Sequence, residues 1–231
     1  MCNYWKQRKM KLSKSLEDSL KKDDLSNLAI DLGEVGIDAI LEGGVLRDIP
    51  ILSSIVSGIN VIGSVRDALF TKKLISFLSE LSDVSVEQRR SMIESIDNSN
   101  EYKIKVGEKL IYIIEKAEDH YTSKIIAIFF SEFLVGEITY NQFLKISRII
   151  DSMFIGDFLE FASESSEPID FDSDNTFINT GLVDVYFEPV VVKDGDKYDE
   201  YDKYVTSGGA SLYVTRIGEL VRSVLKGKNY T

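Results

Sequence analysis

The chain has 231 residues, room for one ordinary domain with appendages or for two small ones. Its apolar and charged fractions, 44% and 28%, are those of folded rather than disordered chains. A net charge of −11 argues against a general nucleic-acid coat, which needs clustered cations, and the single cysteine, Cys2, excludes an intramolecular disulfide and fits a reducing cytoplasm.

Taken in chain order, four regions separate: 1–26, 27–76, 77–165 and 166–231. Residues 1–26 are basic through Lys6, Arg8, Lys9, Lys11 and Lys14, with no apolar run behind them at signal-peptide distance, so a secretory signal is not expected. A solvated amphipathic helix is the plain expectation. The sharper one is contact with anionic lipid or nucleic acid, with Tyr4 and Trp5 as interfacial aromatics.

Residues 27–76 are apolar and rich in glycine, and within them Ile49 to Val65 (IPILSSIVSGINVIGSV) carries no charge. As one helix this segment measures about 25 Å, short of the roughly 30 Å hydrocarbon core. Pro50 sits where a helix start tolerates it. Ser53, Ser57, Asn60 and Ser64 recur at helical spacing and define one polar stripe, which runs on through Asp67 and Thr71. Ile51, Leu52, Ile55, Val56, Ile59 and Ile62 fill the other faces, while Ser54 and Gly58 form a small-xxx-small pair that permits close helix approach. Two settings suit such a helix. Several copies turn the Ser/Asn stripe to a hydrated axis, with lipid against Ile51, Leu52, Ile55, Ile59 and Ile62 and Asp67 ringing one mouth. Alternatively the helix is buried in a soluble oligomer or against its own bundle, and the small residues serve packing alone. Taken by itself the helix favours the soluble setting, because amphipathic helices of globular proteins are far commoner than pores.

Residues 77–165 read as a helical bundle. Capping boxes at Ser85/Gln88 and Thr139/Gln142 mark helix starts, and Gly136 is a good stop. Ile104–Ala117 and Ile125–Leu134 carry apolar residues at three- and four-residue spacing, and Phe143, Leu144, Ile149, Ile150, Met153 and Phe154 extend the same core pattern. Residues 166–231 change character: Leu182–Val192 is β-branched and aromatic, Asp194-Gly195 is a hairpin-turn signal, Tyr198–Val205 is the expected return strand, and Leu212–Val214 precedes a helix capped by Thr215. The expected fold is therefore mainly α: a bundle with an N-terminal apolar helix and a C-terminal winged-helix-like α+β domain.

The inventory for chemistry is thin. His120 is the sole histidine, placed at an expected interhelical turn, so no Ser-His-acid or Cys-His set and no zinc site has support. Asp194, Asp196, Asp199, Glu200 and Asp202 lack EF-hand spacing, and Asp170, Asp172 and Asp174 alternate in an expected loop. Gly43-Gly44 lacks the Lys-Ser/Thr of a phosphate loop. No catalytic residue, metal or cofactor is expected, and the chain is not read as an enzyme. DNA binding through the C-terminal domain is disfavoured too, because Glu160–Val192 holds many acids and no Lys or Arg.

The run RDIPILSSIVSGINVIGSVRDALFTKKLISFLSELSDVSVEQR, followed by KVGEKLIYIIEKAEDHYTSKIIAIFFSEFLVGEITYNQFLKISRIID, resembles a family of small bacterial proteins with a Gly/Ile-rich segment, a Lys-Lys-Leu helix and then a bundle. In particular it is similar to the membrane-channel effectors of Hailong anti-phage (abortive infection) systems, over roughly residues 45–155. The resemblance implies a homo-oligomeric ion channel, cytoplasmic when inactive and at the inner membrane when active. It further implies restraint by an operon-encoded partner enzyme or a nucleotide or oligonucleotide ligand until infection. With that likeness, the pore reading of Ser53, Ser57, Asn60, Ser64 and Asp67 moves ahead of the soluble adaptor. An anionic ligand would need a basic pocket, for which Lys72, Lys73, Arg89, Arg90 and the amino-terminal lysines are the concentrated candidates.

Overall fold

The computed structural model describes residues 2–22, 25, 28, 49–58, 65–164, 176–193, 204–206, 208–228 and 230. The chain is mainly helical and divides into two compact units, Met1–Asp151 and Ser152–Thr231.

The first unit contains α1 (Cys2–Lys22), α2 (Pro50–Gly58), α3 (Val65–Ser79), α4 (Val86–Asp97), α5 (Val106–Lys116), α6 (His120–Val135) and α7, which spans Tyr140–Ser152 and so runs to the unit boundary. Its centre is α6. From Ile125 to Ser131 every side chain of this helix is buried, as expected of a helix packed on all sides. Phe130 lies 5.6, 5.7 and 5.1 Å, ring centre to ring centre, from Phe77 of α3, Phe133 of its own helix and Phe143 of α7. Helix α6 packs on α3 and α4, and α1 lies across α2, α4 and α5.

The helix ends explain why these segments fold where they do. Ser85 accepts from the Gln88 amide at 3.3 Å, and Thr139 and Gln142 exchange two bonds of 2.7 and 3.2 Å, a complete capping box. Gly136 closes α6 at φ +88°, a left-handed stop that a side chain would strain. At the turn that carries His120 the cap is Asp119, its carboxylate accepting from the Thr122 amide at 2.7 Å, and half-buried His120 opens the helix. The core pattern also ends sooner than expected. Met153 is only half-buried, and Phe154, 65% exposed, stands outside α7 as the N-cap of the next helix.

The second unit holds α8 (Ile155–Ser163), strands β1 (Val183–Phe187), β2 (Val191–Lys193), β3 (Tyr204–Thr206) and β4 (Ala210–Val214), and α9 (Arg216–Gly227). Strand β1 pairs antiparallel with β4, and β2 with β3. Both pairs keep one register, Val183↔Val214 through Lys193↔Tyr204, so they form one ribbon interrupted between Phe187 and Val191. Pro189 lies in that interruption, where the ladder cannot use a proline amide. Across it, Glu188 still donates to the Gly209 carbonyl at 2.8 Å, and a side chain on Gly208 would strike the Glu188 carbonyl. The expected turn at Asp194-Gly195 and the start of the expected return strand lie outside the described residues; Tyr204 and Val205, at its end, pair with Lys193 and Val192. Buried Val183, Leu212 and Val214 hold the register on the other side of the interruption. Thr215 caps α9 as expected, accepting from the Gly218 amide at 3.1 Å. Helix α9 lies on α8, where the Arg222 guanidinium sits 4.5 Å from the Phe161 ring centre and donates to its carbonyl at 3.1 Å.

Candidate functional site

Helix α2 covers the first part of the uncharged segment, and it is seated on α1. Pro50 supplies no amide, and the next one, Ile51 N–H, is an orphan of the first turn. The Ser19 hydroxyl of α1 accepts it at 3.1 Å in a buried contact. Farther along, the Ser15 and Ser54 hydroxyls meet at 2.9 Å. The two helices therefore run antiparallel, with small residues on the seam. The apolar residues Ile49, Ile51, Leu52 and Ile55 are buried, as are Leu16 and Leu20 of α1.

Among residues read as lipid-facing, Ile51, Leu52 and Ile55 therefore face protein in this structure; Ile59 and Ile62 lie outside the described residues. The polar stripe is divided. Ser53 and Ser57 belong to α2 and Asp67 and Thr71 to α3, while Asn60 and Ser64 lie outside the described residues. Ser53 is half-buried and turns its hydroxyl back to the Pro50 carbonyl at 3.0 Å. Asp67 sits in the first turn of α3, where a carboxylate complements the helix dipole, and its carbonyl accepts from Thr71 at 2.7 Å. Among the described residues, no helix is long and apolar enough to cross a membrane.

Three of the cations named for an anionic ligand, Lys73, Arg89 and Arg90, donate to backbone carbonyls. Lys73 donates to the Glu115 carbonyl at 3.3 Å and, more closely, to that of Ala117, closing the C-terminus of α5. Burial lowers its pKa, against the pull of Asp119 and Glu115. Arg89 is 1% exposed and donates through Nε to the Val84 carbonyl at 3.1 Å. Arg90 holds the Lys21 carbonyl at the end of α1 with two bonds of 3.1 and 3.0 Å. Burial lowers the His120 pKa and the charge of Lys72 lowers it further, against the pull of Asp119. Lys73 and Arg90 thus act as helix-end caps supplied from neighbouring helices. Asp97 does the same at the start of α5, accepting from the Val106 amide at 2.8 Å and from Lys21 at 3.2 Å.

The exposed cations gather elsewhere, around Glu115, and sequence reasoning missed this. Lys9 of α1 pairs closely with that carboxylate, and Arg66 of α3 reaches it at 3.1 Å. One turn earlier on α5, Tyr112 has the ammonium groups of Lys109 and Lys116 at 5.4 and 5.3 Å from its ring centre. The available signal was the Lys109/Tyr112/Lys116 spacing, which places all three on one helix face. Nothing local marked the approach of α1 and α3.

The Asp170, Asp172, Asp174 group and the Asp194–Asp202 acids lie outside the described residues, and among the described ones no three His, Cys, Asp or Glu side chains are placed to hold a metal. No protein-family model, curated protein or solved structure matches this chain.

Proposed function

We propose that this chain is a self-assembling, membrane-acting defence effector, non-enzymatic, whose helix α2 is stowed on α1 at rest and whose Ile49–Val65 segment enters the bilayer when active. In that state Ser53, Ser57, Asn60 and Ser64 line a shared cation-conducting axis and Asp67 rings its mouth. Release follows loss of a restraining partner or oligonucleotide ligand, and the site moves from cytoplasm to inner membrane. The observation that carries the reading is the seam itself. An uncharged helix lies on one principal partner, α1, through serine contacts and aliphatic side chains. Moving Ile51, Leu52 and Ile55 from protein to hydrocarbon returns none of them to water, so the transfer is cheap for α2. The cost falls on α1, which uncovers Leu16 and Leu20. A new copy of α2 or the bilayer interface can cover them again.

Expression of the protein alone, with a voltage-sensitive dye and cell fractionation in parallel, tests this. Depolarisation with protein in the membrane fraction is expected; a cytosolic protein with an unchanged potential sinks the proposal. The burial of Ile51, Leu52 and Ile55 favours a second reading, a soluble homo-oligomeric adaptor in which α2 never leaves α1. In either reading we take the second unit, a ribbon between two helices, as a winged-helix-like protein-binding module rather than a DNA reader.

A further inference from the structure

The region around Glu115 stands apart from the rest of an acidic chain. The exposed side of α1 between residues 7 and 14 carries Lys9, Lys11 and Lys14 and no acid. Arg66 joins it from α3, and Lys109 and Lys116 from α5. Glu108, Glu115 and Asp151 stand among them, and Asp67 follows Arg66 on α3; Glu115 and Asp151 are already paired with Lys9, Arg66 and Lys116. Apolar side chains stand out beside these cations: Met10 is 70% exposed, Leu69 55% and Tyr112 47%. Leu69 lies one turn beyond Arg66 on α3, and Tyr112 one turn before Glu115 on α5.

Its position adds a second argument. The Ser19–Ile51 and Ser15–Ser54 contacts fix α1 and α2 as antiparallel, so the C-terminal end of α2 lies toward the lysine-bearing half of α1. Arg66, just past the uncharged segment, shares Glu115 with Lys9. Basic side chains with methionine, leucine and tyrosine among them, at the end of an uncharged helix, suit a lipid headgroup region. A nucleic acid would need an open ring for base stacking, and the Tyr112 ring already holds two ammonium groups.

Resting on the membrane reading above, we infer that this face of α1, α3 and α5 docks on an anionic lipid surface and presents α2 to the bilayer. Met10 and Leu69 enter the headgroup boundary, while Lys9 and Lys116 exchange carboxylate partners, and Lys109 its tyrosine ring, for lipid phosphates.

The test is co-sedimentation of the full-length protein with vesicles of phosphatidylcholine alone, or with one third phosphatidylglycerol. Binding to the anionic vesicles and not to the neutral ones is expected, weakening as salt is raised. The variant Lys9→Gln/Lys109→Gln/Lys116→Gln should bind about a hundred-fold less tightly, about five-fold for each cation removed. Met10→Gln/Leu69→Gln, which keeps every charge, should lose about ten-fold. Equal binding to both vesicle types overturns the docking face, as does a triple variant that keeps its helical circular dichroism and binds like the parent. Preference for a duplex oligonucleotide over anionic vesicles overturns it as well. The channel fails separately: a protein that docks on anionic vesicles yet passes no ions removes the pore and keeps the face. Ion flux indifferent to these lysines keeps the pore and removes the face.

Discussion

Helices α6 and α2 are both strongly apolar, yet the fold holds them in different ways. Helix α6 is buried on all sides from Ile125 to Ser131, capped by Asp119 and stopped by Gly136. Helix α2 is nine residues long, about 13 Å, opens on a proline, and has its first amide satisfied by a serine from another helix. The first is specified by its own sequence and by every neighbour; the second depends on α1. Apolar composition alone therefore does not distinguish a helix at the centre of a core from one that leans on a single principal partner. Burial around the helix and the origin of its caps do.

The largest expected effect comes from fixing α2 to α1, which is incompatible with the proposed insertion. The Ser15 and Ser54 hydroxyls are in contact, so Ser15→Cys/Ser54→Cys, in a Cys2→Ser background, can tie α2 to α1. Oxidised protein should pass no ions into vesicles, and reduction should restore the flux. Flux that survives complete oxidation would show that α2 does not need to leave α1.

The second effect compares the two helices directly. Phe130→Ala removes a fully buried ring that touches three other aromatic residues and should cost about 3–5 kcal/mol in urea unfolding. Ile55→Ala is also a core truncation, but its loss should appear as local opening. Amide exchange should accelerate in α2, while global unfolding shifts by less than about 1 kcal/mol. Equal global losses would make α2 as integral as α6.

What the sequence revealed follows the same division. Helices with caps of their own, at Ser85, Thr139 and Thr215, and the stop at Gly136 were legible because the signal lies within four residues of the end it marks. Contacts made from a distance were not. The capping roles of Lys73 and Arg90, which read as candidates for an anionic ligand, were hidden because the carbonyls they hold belong to α5 and α1. The ribbon's register was not legible either, because it is set by pairing over residues 183–193 and 204–214 together. Of the candidate site, Ser53 and its neighbours were legible as an uncharged helix, whereas the α1 seam and the cations around Glu115 needed the tertiary fold.

Asp97 tests a cap supplied from outside its helix. Asp97→Ala leaves the Val106 amide and Lys21 without a buried carboxylate, at a cost of about 2 kcal/mol. Burial pulls the Lys21 pKa down, but bonds to Glu17 and Asp97 outweigh it, and the value is raised. A raised lysine stabilises the fold fully below its unfolded value and ceases to as pH climbs through the folded one. The advantage of the parent over Asp97→Asn should therefore hold at neutral pH and shrink above about pH 10.4. A difference unchanged into strong alkali would remove Lys21 from the account.

The smallest effects separate two reasons for glycine. In the second unit, a side chain on Gly218 would strike the Leu182 carbonyl, Val214 and Phe161, so Gly218→Ala should cost about 2 kcal/mol through crowding. In α6, Gly136 has nothing within 4 Å of an added Cβ, so only its φ of +88° resists substitution. Gly136→Ala should cost about 1 kcal/mol, and Gly136→Asn less, because asparagine tolerates the left-handed region. At Gly218 that order reverses, since asparagine brings more atoms into the same gap. If alanine and asparagine rank alike at both sites, steric room and not backbone conformation sets the α6 stop. The contrast between a self-terminated α6 and a dependent α2 would then lose one of its two supports.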